Sequence, residues 1–294
     1  MHSETNYSSK VEFPAMEAPD QEEPRRKCFK TLADALEDAR QGADKIGIER
    51  RVLDFLYGKT RWKSITRADW EQQVRIATTF DENLRRFGSA RLLKEIADQV
   101  GVSFRAAVAP ERTFAPALVI TYHGSFSVTL RRLFRNFFPD GVAIAANGVY
   151  AAGDGAYALF AAREALLAEK PAFMAPDGRY GREAGTVSVL GAQLPLTDGA
   201  PFLAHATGCK VEWLALAWRG QGFAIEAVAG PQRVAGEAFR DYRERFYHFY
   251  AARLEEAFTG NPANLPLTAN WRLMFDAMLA GKVYRFRRPT RQIA

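Results

Sequence analysis

The hydrophobic pattern changes period once along the chain. From about residue 29 to residue 100, apolar positions recur three and four apart. They do so in KTLADALEDARQ (30–41), IGIERRVLDFLY (46–57), RADWEQQVRIATTFDENLRRF (67–87) and SARLLKEIADQV (89–100). That spacing predicts amphipathic helices, each turning one stripe to a core. Ser89 stands where a cap is needed and Gly101 where the helix must stop. The texture then shifts. ALVITY (117–122) is a short, continuous, β-branched run, as expected of a strand buried on both faces. HGSFS and an amphipathic helix, VTLRRLFRNFF, follow it, and Pro139 ends that helix. GVAIAA (141–146) predicts a second strand, DGAYALFAAREALLAEK a helix and PAFMAP (171–176) a third strand. TVSVLGAQLPL, the helix GAPFLAHATG and two strands, VEWLALAW and GFAIEAVAG, come next. A long helix from Glu237 to Phe258 follows, and NWRLMFDAML (270–279) predicts another. Strands alternating with helices predict an α/β fold, a mainly parallel central sheet flanked by helices, preceded by a helical segment.

Four stretches emerge: a polar leader at 1–27, the helical segment at 28–105, the α/β region at 106–280 and a basic tail at 281–294. The leader contains Pro14, Pro19 and Pro24, has no apolar core of the signal-peptide kind, and reads as disordered. Apolar residues make up 48% and charged residues 25% of the 294, a balance that excludes a mainly disordered, collagen-like or coiled-coil chain. No run approaches the length of a transmembrane helix. Two cysteines, Cys28 and Cys209, lie far apart without metal-ligand spacing, which suits a reducing cytoplasm.

The net charge of +6 is not spread evenly. Lys282, Arg285, Arg287, Arg288 and Arg291 carry five of those charges within the tail, so the body is close to neutral. A basic tail can touch phosphates, anionic lipid or an acidic protein, and it equally serves as a solubilising terminus. No helix-turn-helix, zinc-finger or RNA-binding pattern accompanies it, so nucleic acid is not an expected partner.

Candidate chemistry centres on one histidine. His2 lies in the leader, His205 in a small-residue helix and His248 among Tyr247, Phe249 and Tyr250, where packing or surface roles account for them. His123 ends a buried strand, precedes Gly124 and stands before a helix. Ligands bind at the carboxyl ends of strands in open α/β sheets. A histidine there is placed for general-base work. The second cluster is PDGRYGREAG (176–185), at the end of another strand. Asp177 and Gly178 there are also ordinary turn chemistry, while Arg179 and Arg182 could hold a phosphate. On the helix after His123, Arg131 and Arg135 are four apart and share a face. They are either an electrostatic docking surface or the solvated side of a helix whose core stripe is Leu130, Leu133, Phe134 and Phe137. A GxSxG elbow, a Walker loop and HExxH are absent, and AAGDGA lacks dinucleotide-fingerprint spacing.

The order strand–HG–helix, strand–PDGRYG, VLG, GAPFLAHATG and a strand pair, from Leu118 to Gly230, resembles the late acyltransferases of lipid A assembly. These lauroyl and myristoyl transferases belong to the wider lysophospholipid (glycerolipid-type) acyltransferase superfamily. The resemblance implies transfer of an acyl group from an acyl-carrier-protein or coenzyme A thioester to a hydroxyl or amine, with no covalent intermediate. It implies no metal and no cofactor beyond that donor. His123 falls on the catalytic base. The expected substrate-binding residues are Gly124, Ser125, Gly178, Arg179, Arg182, Arg131 and Arg135. Two departures stand out. The family carries an acid five positions after the histidine, and here that position is Val128. Either another acid takes its place, with Asp177 the expected catalytic acid and Asp154 and Glu183 as alternatives, or His123 works alone, or the site has lost transferase activity. The second is the polar leader in place of a membrane anchor, which points to a soluble, small-molecule acceptor, with membrane contact confined to the basic tail. The alternatives to a transferase are a non-catalytic homologue that binds an acyl carrier or lipid, and a thioesterase on the same fold.

Overall fold

The computed structural model describes residues 29, 31–43, 54, 58, 66–87, 92, 94–95, 117–123, 127–144, 155–177, 183–219, 222–260, 264 and 279–281. The leader, most of the helices expected at 46–57, 89–100 and 270–279, and the tail from Lys282 onward lie outside the described residues. Within them the chain is α/β. Its elements run α1 (Leu32–Gly42), α2 (Arg67–Phe87), β1 (Ala117–Ile120), α3 (Ser127–Phe137), β2 (Val142–Ala143), α4 (Gly155–Leu167), β3 (Ala172–Met174), β4 (Glu183–Val189), β5 (Ala192–Thr197), α5 (Gly199–Thr207), β6 (Lys210–Arg219), β7 (Gly222–Ala229) and α6 (Phe239–Gly260). None of the described helices is long and apolar enough to cross a membrane.

Five strands form one sheet in the order β2-β3-β1-β6-β7. β1 is central and parallel to both β3 and β6, β2 is parallel to β3, and only β7 runs antiparallel, against β6. The sheet is therefore mixed but mostly parallel. β4 and β5 form a separate antiparallel hairpin that turns at Leu190 and Gly191, both with positive φ (53° and 86°). Gly191 adopts that backbone without a Cβ penalty, whereas Leu190 carries the strain of the turn.

Alternation along the strands sends side chains to two cores. Leu118 and Ile120 of β1, with Met174, Val211 and Trp213, join α4, α5, α6 and the hairpin on one face. Val119, Phe173 and Leu214 face the other way, against α1, α2 and α3. The helical segment that precedes the sheet thus shares a core with α3. Thr31 begins α1, its hydroxyl accepting from the Asp34 N–H at 3.1 Å. Position 123 is set by this plan: the chain leaves the middle strand of the sheet at its carboxyl end.

Candidate active site

Parallel register builds the site. Ile120 of β1 lies opposite Met174 of β3, and the Thr121 N–H extends the ladder to the Met174 carbonyl at 3.0 Å. His123 and Asp177 each lie three residues beyond that paired position, so two strands running the same way deliver them side by side. The Pro176 carbonyl accepts from both the Thr197 N–H and the Thr197 hydroxyl, each at 3.2 Å, which ties the turn before Asp177 to the end of β5.

Asp177 is buried and receives several donors. Its Oδ2 accepts the His123 backbone N–H at 3.0 Å, with Oδ1 at 3.3 Å from the same nitrogen. Oδ1 lies 3.0 Å from His123 Nδ1 and accepts the Tyr250 hydroxyl at 2.9 Å. The Asp177 side chain is 1% exposed and that of His123 34%, so the acid is sealed while the imidazole reaches solvent. Burial works against the carboxylate's charge. The adjacent His123 ring and the hydrogen bonds from His123 and Tyr250 outweigh it and hold Asp177 below the ordinary carboxylate range. With Asp177 ionised, Nδ1 must carry a proton to face it, and the lone pair of the neutral ring then lies on Nε2. The arrangement can take a proton at Nε2 and stabilise the resulting imidazolium.

Tyr250 approaches from α6 and touches both strands. Besides Asp177, its hydroxyl lies 3.0 Å from the Thr121 carbonyl. Burial and the facing Asp177 carboxylate push its phenol well above the ordinary value, so it stays a donor. Its ring meets Trp213 edge-on at 5.5 Å, and Tyr122 stacks on the same indole at 5.5 Å. One turn earlier on α6, Tyr247 donates to Asp198 at 2.7 Å. Nothing in the sequence separates Tyr250 from the aromatic core positions around it. Its polar tip on a buried, mostly apolar stripe with Phe246, Leu254 and Ala257 is a signal that Tyr242 and Tyr247 of the same helix share.

Of the residues expected from sequence, His123 and Asp177 come together. Arg131 and Arg135 lie on α3, the first half-buried and the second exposed. Burial, and after it the positive charges of Arg135 and Arg132, lower the Arg131 value, which places these cations near one another. Arg132 itself donates to the Leu84 carbonyl of α2 at 2.9 Å. Leu130, Leu133 and Phe134 form the buried side of α3. Gly124, Ser125, Asp154, Gly178, Arg179 and Arg182 lie outside the described residues, as do the side chains of Val128 and Glu183. His205 is a packing residue: its Nε2 lies 2.9 Å from the Glu237 carbonyl, and its ring meets Phe239 and Tyr242. His248 is exposed. Cys209 is buried, and burial pushes its thiol up, away from thiolate chemistry. Among the described residues, no three His, Cys, Asp or Glu side chains gather into a metal-binding group.

Comparison with protein families and with curated proteins found no match to the chain.

Proposed function

We propose that the chain is an acyltransferase of the lipid A late-acyltransferase type. In this reading it moves an acyl group from an acyl-carrier-protein or coenzyme A thioester to the hydroxyl or amine of a small acceptor, in the cytoplasm. One observation carries the reading: a buried, ionised carboxylate 3.0 Å from Nδ1 of a partly exposed histidine at the carboxyl end of the central strand. Asp177 there supplies the orienting acid for which Val128 leaves no place in the usual position. The resemblance of the strand–HG–helix and PDGRYG segments to that family supplies the reaction.

His123 Nε2 takes the proton of the acceptor O–H or N–H as the acceptor atom attacks the thioester carbonyl. The tetrahedral intermediate collapses with cleavage of the C–S bond, and the imidazolium returns its proton to the departing thiolate. Asp177 stays ionised throughout. It fixes the tautomer and stabilises the cation, as the buried acid of a serine-protease triad does. No covalent acyl-enzyme forms.

The test is thiol release from a panel of acyl-coenzyme A and acyl-carrier thioesters, with and without hydroxyl and amine acceptors. Acceptor-dependent release with formation of an ester or amide is expected, and His123→Ala should reduce it at least ~10²-fold. Release without acceptor would make the protein a thioesterase. No release from any donor would leave a binding protein, and undiminished turnover in the alanine variant would remove His123 from the mechanism.

A further inference from the structure

Asp177 has a second contact that the general-base mechanism does not use, the hydroxyl of Tyr250. This phenol is wholly buried and has two acceptors within reach, Asp177 Oδ1 at 2.9 Å and the Thr121 carbonyl at 3.0 Å, but only one proton to give. A carboxylate is the stronger acceptor, so the proton belongs on Oδ1. That oxygen is the one facing His123 Nδ1. Carboxylate and imidazole therefore share an atom whose orientation and charge the phenol also controls.

We infer that Tyr250 is a positioning residue for the His123–Asp177 pair: its hydroxyl holds Oδ1 in line with the imidazole and sets the pH at which the pair takes up its proton. The inference rests on the reading of His123 as a general base assisted by Asp177. The pair carries one negative charge when the imidazole is neutral. A donor on Oδ1 stabilises that anionic state, and its removal makes protonation easier wherever the added proton settles. The titratable groups facing the carboxylate are His123 from the end of β1 and Tyr250 from α6, while Tyr122 acts on Tyr250 and donates its own hydroxyl to the Asn264 carbonyl. Farther along α6, Arg243 lies 3.5 Å from Asp198 at the start of α5, and Arg253 pairs with Glu256. On β6, Glu212 alternates with Trp213 and so points to the opposite face of the sheet. On the edge strand, Glu226 lies opposite Ala215 and shares the face of Trp213.

The test is the NMR titration of the His123 ring in the full chain without substrate. Tyr250→Phe keeps the ring beside Trp213 and removes the hydroxyl, and it should move the midpoint up by roughly one pH unit, the scale of one lost hydrogen bond to a charged group. Tyr247→Phe is the control. It removes an equivalent hydroxyl from the same helix, but one held by Asp198, and should leave the midpoint in place. In an Asp177→Asn background the Tyr250 change should have no effect. An unmoved midpoint in Tyr250→Phe, an equal shift in Tyr247→Phe, or a shift that persists without the Asp177 carboxylate each overturns the assignment. Should the phenylalanine variant fail to fold, a ring-fluorinated tyrosine at position 250 donates more strongly and must move the midpoint down, and any other result overturns the assignment. The titration needs no turnover. Absence of acyl transfer would defeat the proposed function without touching this readout, and an active enzyme with an unmoved midpoint would defeat only the role of Tyr250.

Discussion

Asp177 stays ionised in surroundings that disfavour charge because the His123 backbone N–H, the His123 ring and the Tyr250 hydroxyl converge on its two oxygens. Its carboxyl titrates below the ordinary range in the folded chain, and it returns to about 3.9 when the chain unfolds. The sign follows from linkage: as pH falls through the unfolded value, the unfolded chain takes up the proton first. The stability that Asp177 contributes is therefore complete above about pH 4 and is lost as pH drops toward the folded value. Asp177→Asn should remain folded at neutral pH, lose turnover by roughly 10²–10⁴-fold, and lack this part of the acid-induced loss. Denaturant midpoints of both proteins from pH 7 to pH 2, beside their turnover, check it. Parallel pH curves would mean that the carboxylate is not ionised against His123, and normal turnover would show that His123 acts unassisted. Glu237 reports the same linkage at the surface. Arg245, then the Val234 N–H, hold it down to about 2, so the pairing that ties the loop before α6 to Arg245 on that helix should persist well below pH 4.

At the scale of elements, the sheet that carries the site depends on close approach where β7 meets β6. Gly230 closes the β6–β7 pair, its N–H donating to the Val211 carbonyl at 2.7 Å. A Cβ there would stand 2.6 Å from Val211 Cγ1 and 2.9 Å from Val211 Cβ, and a branched side chain on a central strand has no room to yield. Gly230→Ala should therefore destabilise the fold by about 1–3 kcal/mol, read from the denaturant midpoint. An unchanged midpoint would show that the end of β7 is free to shift. The elements themselves were largely legible in the pattern. The three-and-four spacing of 67–87 coincides with α2, ALVITY and PAFMAP each contain a strand whose burial on both faces leaves a continuous apolar run, and VEWLALAW lies within β6. Pairing was less legible. β1 has neighbours 54 or more positions away in sequence, and nothing local encodes which strand lies beside it. His123 and Asp177 could be nominated one by one from their strand-end positions. Their contact follows from the register of β1 on β3, and Tyr250 arrives from 73 residues beyond Asp177 on a helix whose aromatic residues read as core.

At the scale of the whole molecule, charge is the property that would bring a donor to the site. Five of the six net positive charges sit in the tail, so long-range attraction of an acidic carrier or of coenzyme A phosphates by the remainder needs a local concentration of cations. α3, the helix that follows His123, supplies one. Arg131 is half-buried there and already disfavoured as a cation by burial and by its arginine neighbours, while Arg135 is exposed. Clustered like charges cost the free protein something, and an anionic partner would relieve that cost on binding. Attraction between exposed charges such as Arg135 and an anionic donor is screened over ~8 Å at physiological ionic strength, so the Michaelis constant for the donor should rise with salt while that for a neutral acceptor stays level. Arg135→Glu should raise the donor constant by roughly tenfold and flatten its salt dependence, with little effect on folding because the residue is exposed. Charge reversal at Arg131 combined with it should go further at some cost in stability. Donor kinetics indifferent to both salt and Arg135→Glu would reduce α3 to a solvated helix face and leave donor binding to Arg179, Arg182 and the tail.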